Sequence, residues 1–175
     1  MKLQIKRILY ATDLSQNSSD AFLFAVDLAR THDASIIALH AVEHIRPDAH
    51  AYMNITPEME RGQEERAIEV LKKQLKRFCR RAEAQFGTPC AELVSKALVL
   101  RGHPTDVILS ATNEEECDVI VLGSRGKGFL AQTLLGSVSN AVLRHARKPV
   151  FVIPLPSDTT NEVKLSLVRN KMQVQ

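Results

Sequence analysis

Short runs of consecutive apolar residues recur along this chain, and between them lie segments whose apolar residues fall three or four apart. The runs are Ile8 to Ala11, Ser35 to Val42, Cys117 to Leu122 and Pro149 to Ile153, and Leu93 to Leu100 reads as a further strand. A strand that is apolar at both odd and even positions has to be buried on both faces, which is the condition of strands in a parallel sheet covered by helices. The intervening segments supply the helices. Alternation of this kind predicts β-α-β-α-β-α-β-α-β with right-handed crossovers, an α/β sandwich of a single domain.

Each helix has its own signals. Ala21, Phe22, Ala25, Leu28 and Ala29 share one face, after a polar cluster from Ser15 to Asp20 that offers an N-cap. His44 to Pro57 lacks periodicity and is expected to be a loop. A long helix should follow, with Ala67, Leu71, Leu75, Phe78, Ala82 and Phe86 on its buried face, a Glu69–Lys73 pair outside and Gly87 as its stop. The basic run Lys72 to Arg81 then falls on the solvated side of that helix rather than on a nucleic-acid patch. Arg101-Gly102-His103-Pro104 turns into a helix from about Thr105 to Glu115, and a last helix spans about Gly136 to His145.

Composition excludes little beyond this. The 175 residues are 45% apolar and carry Lys+Arg 23 against Asp+Glu 20, so bulk charge implies neither a nucleic-acid nor a membrane partner. Met1 to Arg7 has an apolar run too short for a signal peptide, and no stretch approaches the roughly 20 apolar residues of a membrane span. A cytoplasmic protein is expected. Cys79, Cys90 and Cys117 are odd in number and widely spaced, fitting neither a disulfide framework nor a CxxC pair, and are expected to be reduced. His40 and His44 lie four apart but in a strand and a loop, so no helical metal site is expected. His103 and His145 sit at helix ends as structural residues.

In an open parallel sheet, ligands bind beyond the carboxyl ends of the strands. The first strand ends in Ala11-Thr12-Asp13, the second in Ala41-Val42-Glu43, and the fourth opens into Gly123-Ser124-Arg125-Gly126-Lys127-Gly128. Glycine permits close backbone approach and positive φ, so Gly123 and Gly126 can turn N–H groups toward an anion, with the charges of Arg125 and Lys127 beside them. Gly136-Ser137 opens the next helix, where unsatisfied N–H groups and the helix dipole form a second anion site that Ser139 can join. The loop is not a Walker A motif, because Lys127 is followed by Gly128. It is not a Rossmann fingerprint either, because it follows the fourth strand rather than the first.

Val119 to Gly126, Leu134 to Ala146, Pro149 to Ile153, Ile8 to Asp13 and Gly102-His103-Pro104 together resemble the universal stress protein domain, over roughly Lys6 to Pro154. Gly123, Gly126, Gly136 and Ser137 fit the Gly-x2-Gly-x9-Gly-Ser spacing that marks the family's nucleotide-binding branch. The resemblance implies an adenine nucleotide α-hydrolase-like fold: a five-stranded parallel sheet in the order 3-2-1-4-5, with helices on both faces. It also implies a domain over 1–154, with a tail over 155–175 whose structure is left open. The implied ligand is ATP or AMP, with Mg²⁺ as a companion of the phosphates. Asp13 would hold the ribose, and Ala11, Thr12, Val42 and Leu122 would line the pocket. Gly123, Arg125, Gly126, Gly136, Ser137, Val138 and Ser139 would receive the phosphates. A homodimer through the last strand, whose apolar edge is otherwise unpaired, is part of the same expectation.

Two roles compete with each site residue. Asp13 can simply bond the turn it sits in, Ser139 can bond backbone, and Gly136 can be an ordinary helix-start glycine. The function implied is a nucleotide-dependent stress-response switch. Its alternatives are an interaction module without nucleotide, a weak ATP hydrolase, or a nucleotidyl-transfer enzyme. Against the last stands Thr12-Asp13-Leu14-Ser15, where such enzymes carry a glycine-rich pyrophosphate loop. No acidic pair near the glycine segment is evident for phosphoryl transfer.

Overall fold

A computed structural model describes residues 4–15, 18–43, 56–87, 89–124 and 135–154 of the chain. The elements in order are β1 (Arg7–Ala11), α1 (Ser18–His32), β2 (Ser35–Val42), α2 (Pro57–Phe86), β3 (Val94–Arg101), α3 (Pro104–Glu114), β4 (Val119–Gly123), α4 (Ser137–His145) and β5 (Val150–Ile153). The strands form one sheet in the order β3-β2-β1-β4-β5, and every pairing is parallel. Strand order therefore reverses between β1 and β4, whose residues run in register from Ile8 opposite Val119 to Ala11 opposite Leu122.

The doubly apolar strands divide their residues between two cores. Ile8, Tyr10, Ile36, Ala38, Val119 and Val121 face α1 and α2, where Phe22, Val26, Leu71, Leu75 and Phe78 are buried against them. Leu9, Ile37, Leu39, Ile120 and Leu122 face the other way, onto Val107, Ile108 and Ala111 of α3 and Val142 of α4. Each of the larger side chains gains about 1.5–3 kcal/mol on full burial, so both faces hold the sheet. One buried polar group crosses this packing. The Tyr10 hydroxyl donates to the Ser18 carbonyl at 2.8 Å, tying β1 to the first turn of α1, and burial pushes its pKa up to about 12.

Element boundaries follow local chemistry. α2 begins at Pro57, preset for a first helical position, after Thr56, whose hydroxyl accepts from Met59 N–H at 3.3 Å. It ends where Gly87 adopts φ 67° and returns its N–H to the Glu83 carbonyl. Gly102 has φ 149°, and a Cβ there would lie 2.8 Å from Val107 Cγ2; only glycine lets β3 turn this abruptly into α3. The basic segment of α2 is exposed at Lys72, Lys73, Lys76, Arg77 and Arg80. Within it, Arg81 reaches Asp20 at 2.9 Å and Ser19 at 2.7 Å.

Two expectations are corrected. Glu69 pairs with Lys72, three residues on, at 3.3 Å, rather than with Lys73. Cys79 and Cys90 are joined as a disulfide, whereas Cys117 is a buried free thiol, so the expectation of three reduced cysteines fails for two of them. Spacing concealed the pair. The two cysteines are 11 residues apart, and the turn at Gly87 brings the last turns of α2 alongside the chain entering β3, with the Cα atoms 5.1 Å apart.

Candidate nucleotide site at the carboxyl edge of the sheet

The carboxyl ends of β1 and β4 lie side by side at the switch point, so the Thr12-Asp13 turn and the Gly123-Ser124 segment leave the sheet as neighbours. The first turn is heavily determined. Thr12 N–H donates to the Leu39 carbonyl at 2.9 Å, and the Thr12 carbonyl accepts from His40 Nδ1 at 2.8 Å, which requires the proton on that nitrogen. Leu14 has φ 61°, uncommon for a non-glycine residue. The conformation is held by Leu14 N–H to Thr12 Oγ1 at 3.1 Å, Ser15 N–H to Asp13 Oδ1 at 3.0 Å, and Gln74 Nε2 to the Leu14 carbonyl at 2.7 Å. Backbone strain over-determined in this way is characteristic of functional turns. Asp13 thus does bond its own turn. A carboxylate has about four lone-pair positions, however, so this bond leaves capacity for further donors.

Across the switch point, the start of α4 is fastened to the end of β4. Gly136 N–H donates to the Ser124 carbonyl at 2.7 Å, Ser124 N–H donates to the Ile153 carbonyl at 2.7 Å, and Ser139 Oγ donates to the Gly123 carbonyl at 2.8 Å. Ser139 therefore spends its hydroxyl proton on backbone and is nearly inaccessible. Gly136 is the N-cap, with φ −68° and ψ 159° and no side-chain capping bond. Asn140 N–H makes a helical bond to the Gly136 carbonyl, so the N–H groups of Ser137, Val138 and Ser139 precede the helical ladder and have no intrahelical acceptor. An anion placed there gains both hydrogen bonds and the favourable end of the dipole.

Gly136 opens α4 as expected, whereas Gly123 does not take the positive φ that glycine permits. Gly123 is the last residue of β4, in register with Ile153, and Gly136 is in an extended conformation open to any residue. Among the described residues, the glycines with positive φ are Gly87 and Gly102.

The sequence-predicted residues thus fall into three groups. Ala11, Leu122 and Gly123 end β1 and β4, with Thr12 and Asp13 just beyond β1; Gly136, Ser137, Val138 and Ser139 are brought to them through the β4–α4 bonds. Val42 ends β2, one strand further out, opposite Arg101, and its carbonyl accepts from Gly102 N–H at 2.9 Å. Arg125, Gly126 and Lys127 lie outside the described residues, as do His44, His50 and the 155–175 tail. Sequence reasoning gave no role to Ser124 or Gln74 and weighed His40 only as a metal ligand; the bonds by which these residues fix the two turns run to backbone carbonyls and N–H groups, which spacing does not mark.

A model of the universal stress protein family matches residues 4–154. The universal stress protein in the QAH/OAS sulfhydrylase 3′ region of Thermus aquaticus is 36% identical over 151 residues, covering 85% of this chain and 98% of that protein. Among solved structures, universal stress protein UspA from Lactobacillus plantarum superposes with a TM-score of 0.66 at 24% identity, covering 87% of this chain and 99% of that one. A universal stress protein solved in complex with cAMP has a TM-score of 0.55 at 23% identity, over 86% of this chain and 97% of its own.

Proposed function

This chain belongs to the universal stress protein family, and from that premise we propose that it binds an adenine nucleotide at the carboxyl edge of the sheet and acts as a stress-response switch. The observation that carries the reading is the first turn of α4, which lacks a side-chain cap and is latched to β4 beside the Thr12-Asp13 turn. A relative of the same fold was solved with cAMP, an adenine nucleotide. In this reading Asp13 accepts from the ribose hydroxyls, while Ala11, Thr12, Val42 and Leu122 line the base pocket. The phosphates of ATP or AMP meet Gly123, Arg125, Gly126 and the N–H groups at Gly136, Ser137, Val138 and Ser139.

Mg²⁺ bound with the nucleotide would neutralise phosphate charge, and in this reading Asp13 is the carboxylate that would face it. The chain's own contribution is binding: its N–H groups neutralise an anion and its turn orients a ribose. The binding unit is taken as residues 1–154, and the protein as a cytoplasmic homodimer paired through β5.

Calorimetric titration of nucleotide-stripped protein with ATP, ADP, AMP and GTP, with and without Mg²⁺, tests the proposal against a Gly126→Asp variant. Micromolar adenine-selective binding that the variant loses is the expected result, because a carboxylate there blocks phosphate approach. Absence of heat and of any thermal shift with all four nucleotides would leave an interaction module as the better reading.

A further inference from the structure

The Cys79–Cys90 bond joins the end of α2 to the chain entering β3. Cys79 lies in the last two turns of α2 and Cys90 just before β3, with Gly87 turning the chain between them. Glu83 also spans this turn: its carbonyl accepts from Gly87 N–H at 2.8 Å and its Oε1 accepts from Cys90 N–H at 3.1 Å. Both cysteines belong to the core under α1 and α2, at 7% and 0% exposure. Reduced, they would remain there as small apolar side chains, so the fold does not depend on the bond. Gly87 and Pro89, in contrast, are exposed, which gives the segment a surface from which to open.

We propose that Cys79 and Cys90 form a reversible dithiol–disulfide site, exchanging with a low-molecular-weight disulfide of the glutathione class and fastening the end of α2 to the chain entering β3 when oxidised. A thiolate of the pair, Cys79 as the less buried, attacks the small disulfide to give a mixed disulfide and one free small thiol. The second cysteine then attacks the Cys79 sulfur, forming the protein disulfide and releasing a second small thiol. Two electrons pass from the protein thiols to the small disulfide, and both protons leave on its two thiols. Cys117 takes no part, because the other two cysteines are joined to each other and it has no cysteine with which to close a second disulfide.

The pair would be a dithiol in a reducing compartment and a disulfide under oxidative challenge, so its state would report redox conditions independently of any nucleotide. Fastening acts mainly by restricting the unfolded chain. A closed loop of this length should raise Tm by about 6–10 °C for a chain of this size.

The test equilibrates the full-length protein in glutathione buffers of graded ratio, quenches with acid, alkylates free thiols and maps the peptides by mass spectrometry. Melting is followed in the same buffers. Expected are a cross-linked Cys79–Cys90 peptide that appears and disappears with the ratio, Cys117 alkylated throughout, and a Tm that falls on reduction. A Cys79→Ala/Cys90→Ala variant should melt like the reduced protein in every buffer. Alkylation of all three cysteines at every ratio would overturn the proposal, as would a cross-link that no glutathione ratio opens. So would a Tm that follows the redox ratio equally in the variant.

Discussion

At the scale of single residues, Asp13 separates the two roles its position allows. Its Oδ1 accepts from Ser15 N–H, and that bond helps hold Leu14 at φ 61°. Asp13→Asn keeps an oxygen for this bond but replaces with a donor the acceptor that the proposed site offers the ribose; Asp13→Ala removes both. The Asn variant should keep its Tm within about 1 °C while its affinity for ribose-bearing nucleotides falls about tenfold, the loss of roughly one hydrogen bond to a charged acceptor. The Ala variant should lose affinity and also melt a few degrees lower. Inorganic phosphate, competing at α4, should bind both variants like the unaltered protein. Undiminished nucleotide affinity in the Asn variant would leave Asp13 as a turn residue alone. Ser139 shows where residue-level reading stops. Its place in the first helical turn was visible, but whether its proton goes to a ligand or to Gly123 depends on how α4 seats on β4, which no local pattern encodes.

Between elements, Asp118 is the fastening at the opposite end of the β1–β4 pair. Its Oδ2 accepts from Lys6 N–H at 2.7 Å and Arg7 N–H at 3.0 Å, and Asp118 N–H donates to the Arg7 carbonyl at 2.8 Å. Burial raises its pKa, but the two N–H bonds and the charges of Lys148 and Arg7 outweigh that and hold the carboxyl below its ordinary value. A carboxyl depressed on folding contributes stability that is complete above its unfolded pKa, near 4, and is lost as pH falls through the folded value. Asp118→Asn should therefore cost about 1 kcal/mol at neutral pH, the low end for bonds to a charged but partly exposed acceptor. Denaturant melts of both proteins from pH 7 to pH 2 should converge on the acid side; a constant gap would assign the loss to packing. The elements themselves were largely legible, because continuous apolar runs such as Ile36 to Leu39 and Val119 to Leu122 have to be buried on both faces, and the structure buries them so. The Cys79–Cys90 pairing was not legible, since it depends on Gly87 folding the chain back. Neither was the choice of Lys72 over Lys73 by Glu69, which is a matter of side-chain reach. Around the candidate site, the helix start at Gly136-Ser137 and the close of β4 at Gly123 were legible, whereas the bonds that seat α4 on β4 were not.

For the whole molecule, the open question is what covers the β5 edge. The Pro149 and Ile153 carbonyls accept from the N–H groups of Ile120 in β4 and of Ser124 just beyond it, so by the alternation of a parallel ladder Val150 and Val152 turn their N–H and C=O groups outward. Among the described strands no other pairs with β5. The four residues of β5 are only half-buried, and Phe151 carries the exposed Phe24 of α1 against it at 5.3 Å between ring centres. An apolar edge of this kind invites a second strand, and a second copy of the chain offers the same edge in return. Val152→Pro removes one outward donor and places a ring where the added strand would lie, yet sacrifices no bond to β4. Sedimentation of the unaltered chain is expected to give a dimer, and the proline variant a folded monomer with undiminished helical circular dichroism. Leu143→Glu, on the exposed face of α4, serves as a control for surface changes in general and should remain dimeric. A proline variant that stays dimeric would move the interface away from β5, and an unaltered chain that sediments as a monomer would remove the dimer from the proposed switch. A dimer formed through β5 would place α4 and the β4–α4 latch one strand from the symmetry axis. In the proposed switch, phosphate held at α4 would then be linked to the partner through Ser124, which bonds both Gly136 of the latch and Ile153 of the edge strand.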